Sequence, residues 1–418
     1  GKLVTASTGD HDPAFTVTIV AYPETGNNFM YTPFGATGAI PKGGSVLMFG
    51  HPAMNSAGVA YVHHGGGPKF VEPKDTWGYG IRRAASVFHI MRFANSAREA
   101  REMEAAFPIG DVGVGDPGTA GGFYADDAYG YVSESRADPV LLREAGTMGE
   151  TDFLYATNAP IHPGITQAPW RADSSGEWSF DEHAGWFPPS APGKINFKTF
   201  LMSFKQPHMI GIEWSAYNSF YRNRSMYEVL NRGVGQIDVA YMKMMYRRSG
   251  TLPAGSVKEI VAAYSKGGWG EIPASNSANA TVTIMKPSEG LFAHCVGPAR
   301  RGLTPLSAKL FANPMYHETN AFWELKLEES PEAMVAYARD RAAAYLGEAE
   351  TLFAALERHD PAYDSLEGFL SAARSELEAG DAGGDKVAIG DEVAGLARLA
   401  RAYTRAQVRA RQAINALV

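Results

Sequence analysis

The chain lacks most of the features that announce a function. It has a single cysteine, Cys295, among 418 residues. That excludes an intrachain disulfide framework and a thiolate metal cluster, because both need several sulfurs. No apolar run reaches the ~18 residues needed to cross a bilayer. The expectation is a soluble protein of the cytoplasm or periplasm, with no membrane partner. Positive charge is not in excess either: 38 Lys and Arg face 45 Asp and Glu, a formal net charge of -7. With no basic stripe interleaved with aromatics, nucleic acid is not an expected partner. No phosphate loop, zincin helix, kinase set or nucleophile elbow occurs, and the glycines of Val112-Gly113-Val114-Gly115-Asp116 suit a turn better than a dinucleotide fingerprint. The densest histidine pair, His63-His64, would point to opposite faces of a strand and could not jointly hold a metal. No metal and no cofactor are expected.

What the chain does have is apolar material, at 45%, with 45 Gly and 25 Pro spread without a period. That pattern predicts many turns between short strands. Strands are expected at Phe15–Tyr22, Asn28–Tyr31, Ser45–Phe49 and Gly58–Val62, forming an antiparallel meander. Ile81, Ala85, Phe88, Met91 and Phe93 recur near helical spacing, and a second helix is expected from Ser96 through Met103. Strands return at Gly122–Ala125, Tyr129–Ser133 and Phe153–Thr157. Residues 159–195 read as a long ordered loop carrying Trp170, Trp178 and Trp186, either a lid or a flap over a sheet edge. Helices are expected over 225–248 and 255–265, then a hairpin of Ala280–Met285 with Gly290–Val296. Ser330-Pro331-Glu332 is an N-cap followed by Pro at the first helical position, leading Met334, Ala338, Ala342, Leu346 and Phe353 at helical spacing. Two further amphipathic segments follow, at about 364–379 and 390–416. The division expected is a main α+β domain over residues 1–318 and a helical C-terminal extension over 319–418, which packs on the main domain or makes a homo-oligomer.

Chemistry is sparse. Asp10, Asn55, Asn158 and Arg224 stand at expected strand or helix ends. An Asn amide donates hydrogen bonds without carrying charge, so two of them converging on one point can stabilise an oxyanion, while a carboxylate and a guanidinium orient a nucleophile and its proton. The competing reading is that Asn at strand ends serves turns. Aromatic residues gather in loops and strand ends, among them Trp77, Phe123 and Trp170; with His63 and His64 they form the candidate substrate-binding set and suit an aromatic or apolar acyl group. Cys295, inside an expected strand, reads as a buried structural thiol.

Three stretches carry a family resemblance: Met54-Asn55-Ser56-Ala57-Gly58-Val59-Ala60, Ala156-Thr157-Asn158-Ala159-Pro160, and Gly80-Ile81-Arg82-Arg83. In order and spacing the chain resembles the cysteine-type N-terminal-nucleophile hydrolases over residues 1 to about 300. It is most similar to the acyl-CoA:6-aminopenicillanic acid acyltransferase branch, and more distantly to penicillin V acylase and bile salt hydrolase. The resemblance implies a four-layer αββα sandwich of two antiparallel sheets. It implies that Asp10 contacts the nucleophile's amine, that Asn55 and Asn158 line the pocket with Asn158 in the oxyanion hole, and that Arg224 matches an active-site Arg. The chain departs from the family in having Ser7 where Arg often stands three residues before that Asp. The family's nucleophile, an N-terminal Cys released by self-cleavage, is expected upstream of Gly1, within the same precursor or on a separate N-terminal fragment.

The function this implies is cleavage or transfer at the amide bond of an N-acyl small molecule. The alternatives are a binding or scaffold protein that kept the sandwich without the nucleophile, and a serine-type hydrolase using Ser7 or Thr8.

Overall fold

The computed structural model describes residues 2–9, 18–33, 50–63, 83–106, 122–135, 141–145, 152–156, 170–172, 178–180, 226–227, 229–247, 281–296, 299, 320–356, 363–384 and 392–417. The strands are β1 (Thr5–Gly9), β2 (Ile19–Ala21), β3 (Phe29–Pro33), β4 (Gly50–Asn55), β5 (Ala60–His63), β6 (Gly122–Ala125), β7 (Gly130–Ser135), β8 (Leu141–Glu144), β9 (Trp170–Ala172), β10 (Trp178–Phe180), β11 (Thr281–Lys286), β12 (Leu291–Val296) and β13 (Phe322–Lys326). The helices are α1 (Arg83–Phe93), α2 (Ala97–Ala106), α3 (Val239–Arg247), α4 (Pro331–Ala354), α5 (Tyr363–Gly384) and α6 (Glu392–Leu417). The class is α+β. One sheet runs β2 through β8 in chain order, the meander that short strands and turns predict; a second has the order β1-β11-β12-β13; β9 and β10 form a separate hairpin. The chain divides into two compact units, one of residues 47–52 and 59–274, the other of 2–46, 53–58 and 275–418.

In the first unit, the antiparallel register sorts the side chains of β5 to β8 into two faces, since opposed residues share a face and neighbours along a strand alternate. Tyr61, Tyr124, Tyr131 and Glu144 share one rung, and Val62, Phe123, Val132 and Arg143 share the next, on the opposite face. The tyrosine face is tied to α2: the Tyr131 hydroxyl donates to Glu104 Oε2 at 2.7 Å, and Arg101 Nη1 donates to the Tyr129 hydroxyl at 2.5 Å and to Glu144 Oε1 at 2.6 Å. The start of α2 is fixed locally. Ser96 Oγ accepts from the Glu99 N–H at 3.2 Å while Glu99 Oε2 accepts from the Asn95 N–H at 2.7 Å, and Asp126, in the β6–β7 turn, accepts from the Ala97 N–H at 2.6 Å. These bonds occupy amide donors that a first helical turn leaves open.

In the second unit, the connection between β11 and β12 is a 3₁₀ turn, Pro287–Glu289, closed by Gly290 at φ 67°. Only glycine fits there: a Cβ on Gly290 would lie 2.6 Å from the Leu327 carbonyl oxygen, and the Leu327 N–H donates to the Gly290 carbonyl at 2.8 Å. Helix α4 begins as its cap predicts, with Ser330 Oγ accepting from the Ala333 N–H at 3.3 Å and Pro331 in the first turn. Helix α6 packs against α4, α5 and β13. Leu346, Ala349, Leu366, Leu370, Ala373, Ala410, Ala413 and Ile414 build the core of the helices; the alanines allow their close approach.

The fully buried Gln407 of α6 binds β13 as a further strand would. Its Oε1 accepts from the Glu324 N–H at 2.7 Å, and its Nε2 donates to the Glu324 carbonyl at 3.1 Å and to the Ala338 carbonyl of α4 at 3.1 Å. The Glu324 side chain is nearly buried and pairs with Arg341, Nε to Oε2 at 2.9 Å; Arg341 also donates to the Tyr345 hydroxyl at 2.6 Å. The Arg341 and Arg411 guanidinium carbons each lie 4.5 Å from the Tyr345 ring centroid.

Several elements differ from the sequence expectation. Residues 153–156, read as strand, make none. Phe, Leu and Tyr favour strands because they pack well on a pleated surface, and here they find aromatic neighbours without a ladder. Strand β8 was not anticipated. Strand β13 falls inside the stretch read as helical, and that stretch shares a compact unit with the four-stranded sheet. The loop read over 159–195 contains the β9–β10 hairpin, with Trp170 opposite Phe180. The expected strand at Ser45–Phe49 and helix at 255–265 lie outside the described residues.

Candidate functional site

Asn55 ends β4 and opens a tight turn. Its carbonyl accepts from the Gly58 N–H at 3.1 Å, and the Ser56 N–H donates to the Asn28 carbonyl at 2.8 Å. Gly58 has φ 89°, and a Cβ there would meet nothing nearer than 3.8 Å, so it is the backbone conformation that calls for glycine. The next two residues, Ser56 and Ala57, are exposed, as a turn over water requires, yet Asn55 itself has 0% exposure. A buried amide is a fixed, uncharged donor.

His63 and Phe123 are close in register but face opposite ways. His63 is opposed to Gly122 and shares the tyrosine face that α2 holds, whereas Phe123 is opposed to Val62 and Val132 and shares the face of Arg143. The two therefore do not line one surface. Trp170 lies on β9. Asp10, His64, Trp77, Asn158 and Arg224 lie outside the described residues. Strand β1 runs to Gly9, immediately before Asp10.

On the Phe123 face, a cluster that no sequence motif announces brings two distant segments together. Arg143, fully buried, donates through Nη2 to the Tyr155 carbonyl, and its guanidinium lies 5.1 Å from the Tyr155 ring. Phe153, Tyr155 and Tyr227 form a triangle of rings with centroids 6.2, 5.8 and 5.9 Å apart. Residues 153 and 155 thus pack on the helical stretch that carries Tyr227. The one available signal was an arginine in a run of strand-forming residues, Val140-Leu141-Leu142-Arg143, which taken alone reads as a solvent-facing position.

A second polar set lies in the four-stranded sheet. Ser7, Thr283, His294 and Trp323 occupy one rung across β1, β11, β12 and β13. Ser7, Thr283 and His294 are buried, and Thr283 Oγ1 is 2.8 Å from His294 Nδ1. The imidazole stacks on Phe292 at 5.9 Å and lies 5.1 Å from the Trp323 ring. With a hydroxyl and two rings around it, this histidine serves the interior of the sheet. Cys295 points to the other face, opposed to Val282 and Phe322, and has 0% exposure; its thiol bonds the Val296 carbonyl. A thiol so enclosed is not placed to attack a substrate. Among the described residues no group of three or more His, Cys, Asp or Glu side chains is gathered to hold a metal ion, and no helix is long and apolar enough to cross a membrane. Compared with models of known protein families and with curated proteins, the chain matches none.

Proposed function

We propose that the protein cleaves or transfers at a carbon–nitrogen bond of an N-acyl small molecule, by the chemistry of an N-terminal-nucleophile hydrolase on a four-layer αββα sandwich. The observation that supports the reading most is the full burial of Asn55, an uncharged polar side chain, at the end of β4. Antiparallel sheets accompanied by helices, and a strand that ends at Gly9, next in sequence to Asp10, support it.

The proposed reaction needs a nucleophile with a free α-amine. Such an amine has a reference pKa near 7.7–8.0, so close to neutrality it can take the proton of its own residue's thiol without a separate histidine. The family resemblance implies an N-terminal cysteine for this role; Cys295, enclosed within β12, is not that residue. The thiolate attacks the amide carbon; Asn158 and Asn55 donate to the oxyanion; Asp10 holds the amine; the leaving amine departs protonated. Water, or a second amine, then resolves the thioester. Phe123 and the aromatic residues on its face suit an apolar acyl group.

The test has two arms. Intact mass and end-sequencing of the protein matured from its own coding sequence should find Cys at the mature start. Asn158→Ala in that protein should lower turnover of phenylacetyl p-nitroanilide by about 2–4 kcal/mol of barrier, the usual effect of losing one oxyanion donor. A mature start without cysteine, together with specific binding of N-acyl amides and no turnover, would establish the binding-protein alternative instead.

A further inference from the structure

We infer that Phe29 and Tyr31 select the acyl group of the substrate, favouring a flat, uncharged aromatic one. The inference rests on the amide-cleaving reading, in which Asn55 donates to the oxyanion, and adds what the acyl group on that carbonyl meets.

The register of β2, β3 and β4 places these residues. The Ser56 N–H donates to the Asn28 carbonyl at 2.8 Å, and in an antiparallel ladder such a bond flanks a directly opposed pair, here Asn55 of β4 with Phe29 of β3. Phe29 is opposed in turn to Ala21 of β2, and Tyr31 to Ile19. Side chains alternate along a strand, so Asn55, Phe29 and Tyr31 stand on one face, while Met30 and Met54 stand on the other. A pair opposed in this way has its Cα atoms about 4.5 Å apart, and the diagonal neighbour, Tyr31, lies about 7–8 Å off, within reach for an aromatic side chain. The two rings are stacked, with centroids 6.0 Å apart and 21° between their planes. Beside them on this face Ala21 and Ala53 carry only a methyl group.

A carbonyl whose oxygen meets the Asn55 amide therefore has its acyl group beside this ring pair. Ile19, Ala21, Phe29 and Ala53 carry no charge, and burial pushes the Tyr31 hydroxyl up to about 12 from 10.0, so it too stays neutral near neutrality. An acyl group bearing a carboxylate would lose its hydration there and gain no counter-charge from them. A phenyl group gains the offset or edge-on contacts that aromatic pairs make beyond simple burial, a factor of about 3 to 10.

The experiment compares phenylacetyl and hexanoyl p-nitroanilide as substrates of the mature protein. The wild type should favour phenylacetyl in kcat/KM. Phe29→Leu should lower that preference by about 3- to 10-fold while kcat/KM for the hexanoyl substrate moves by less than about two-fold, and Tyr31→Leu should do the same. Tyr31→Phe keeps the ring and should keep the preference. The ratio is the readout because a variant that only weakened the fold would lower turnover of both substrates together. Should Phe29→Leu fail to accumulate as folded protein, the two Tyr31 variants decide. A ratio unmoved in the folded leucine variants, or a wild type that prefers hexanoyl, would overturn the selection; the amide-cleaving reading would stand as long as Asn55→Ala lowers turnover of both substrates. Unchanged turnover in Asn55→Ala, or no turnover of either substrate by the wild type, would remove the reading and the inference together.

Discussion

Replacing Gln407 with leucine would test how the C-terminal helices are joined to the sheet. The side chain is fully buried and makes three hydrogen bonds, to the N–H and carbonyl of Glu324 and to the carbonyl of Ala338. Leucine has similar bulk, so little cavity term enters; the loss is that of polar groups left in a dry interior. Each such group costs about 1–3 kcal/mol. The Ala338 carbonyl sits mid-helix, where it keeps its bond to the amide four residues on, and counts for little. The two Glu324 groups therefore dominate, and the expected destabilisation is about 2–5 kcal/mol. The assay is urea unfolding followed by far-UV circular dichroism, with Gln412→Leu as control; Gln412, on the same helix, accepts from Arg409 at 3.0 Å and should change stability by about 0.5 kcal/mol or less. Gln407→Glu sharpens the test. A carboxylate can still accept from the Glu324 N–H but faces two carbonyls it cannot donate to, so its folded pKa is raised. A raised carboxyl pKa contributes stability below the unfolded value that is lost as pH rises through the folded one, so this variant should gain stability on acidification through pH ~4–6 relative to Gln407→Leu. An unchanged midpoint in Gln407→Leu would refute the reasoning, because it would mean that water or a shifted backbone satisfies β13 equally well.

Other expectations follow from the same kind of argument. Gly290→Ala should destabilise by about 2 kcal/mol or more, measured by thermal unfolding, since it adds strain at positive φ to a 2.6 Å approach to the Leu327 carbonyl. Arg341→Met should cost about 2–4 kcal/mol by the same measurement, because it leaves the nearly buried Glu324 carboxylate without its cation, whereas Glu324 and Arg341 replaced together should cost less than the sum. Burial and the bond to Asp381, at 2.9 Å, push the Tyr403 hydroxyl up to about 12 from 10.0. A tyrosine raised in the folded state contributes stability below its unfolded pKa that disappears as pH climbs from 10.0 to about 12, so Tyr403→Phe should flatten alkaline unfolding in that window. Arg339, then Tyr403, hold Asp381 below the ordinary carboxylate range; the sign reverses, with stability present above pH 3.8 and lost on further acidification, and Asp381→Asn should remove that dependence.

How much of this was legible in the sequence depends on where each instruction resides. Strand β6, the hairpin of β11 and β12 and the start of α4 were readable because alternation, a Pro-Ser-Glu-Gly turn and a Ser-Pro cap all act over a few residues. Strand β13 was not, since Phe322-Trp323-Glu324-Leu325-Lys326 falls within the stretch read as a helical extension and becomes a strand by pairing with β12 and by its bonds to Gln407. Residues 153–156 erred in the other direction: strong β-formers were drawn into ring contacts with Tyr227, far along the chain. For the candidate site, Asn55 stood out as a polar residue before a turn, but its burial is a property of the packed molecule. His63 and Phe123 were grouped by proximity in chain and chemistry; which face each takes depends on the β5–β6 register, where a shift of one residue exchanges the faces. Arg143 offered only a misleading local sign, because an arginine in a run of strand-forming residues usually faces water.

The bond between Gln407 and Glu324 joins residues 83 positions apart. During synthesis at about 5–20 residues per second, β13 leaves the ribosome roughly 4–17 s before the side chain that will cover it. Over that interval the nascent sheet presents an uncovered hydrogen-bonding border to any neighbouring polypeptide, so the protein's yield in a crowded cell depends on how quickly its helical region is completed and docks.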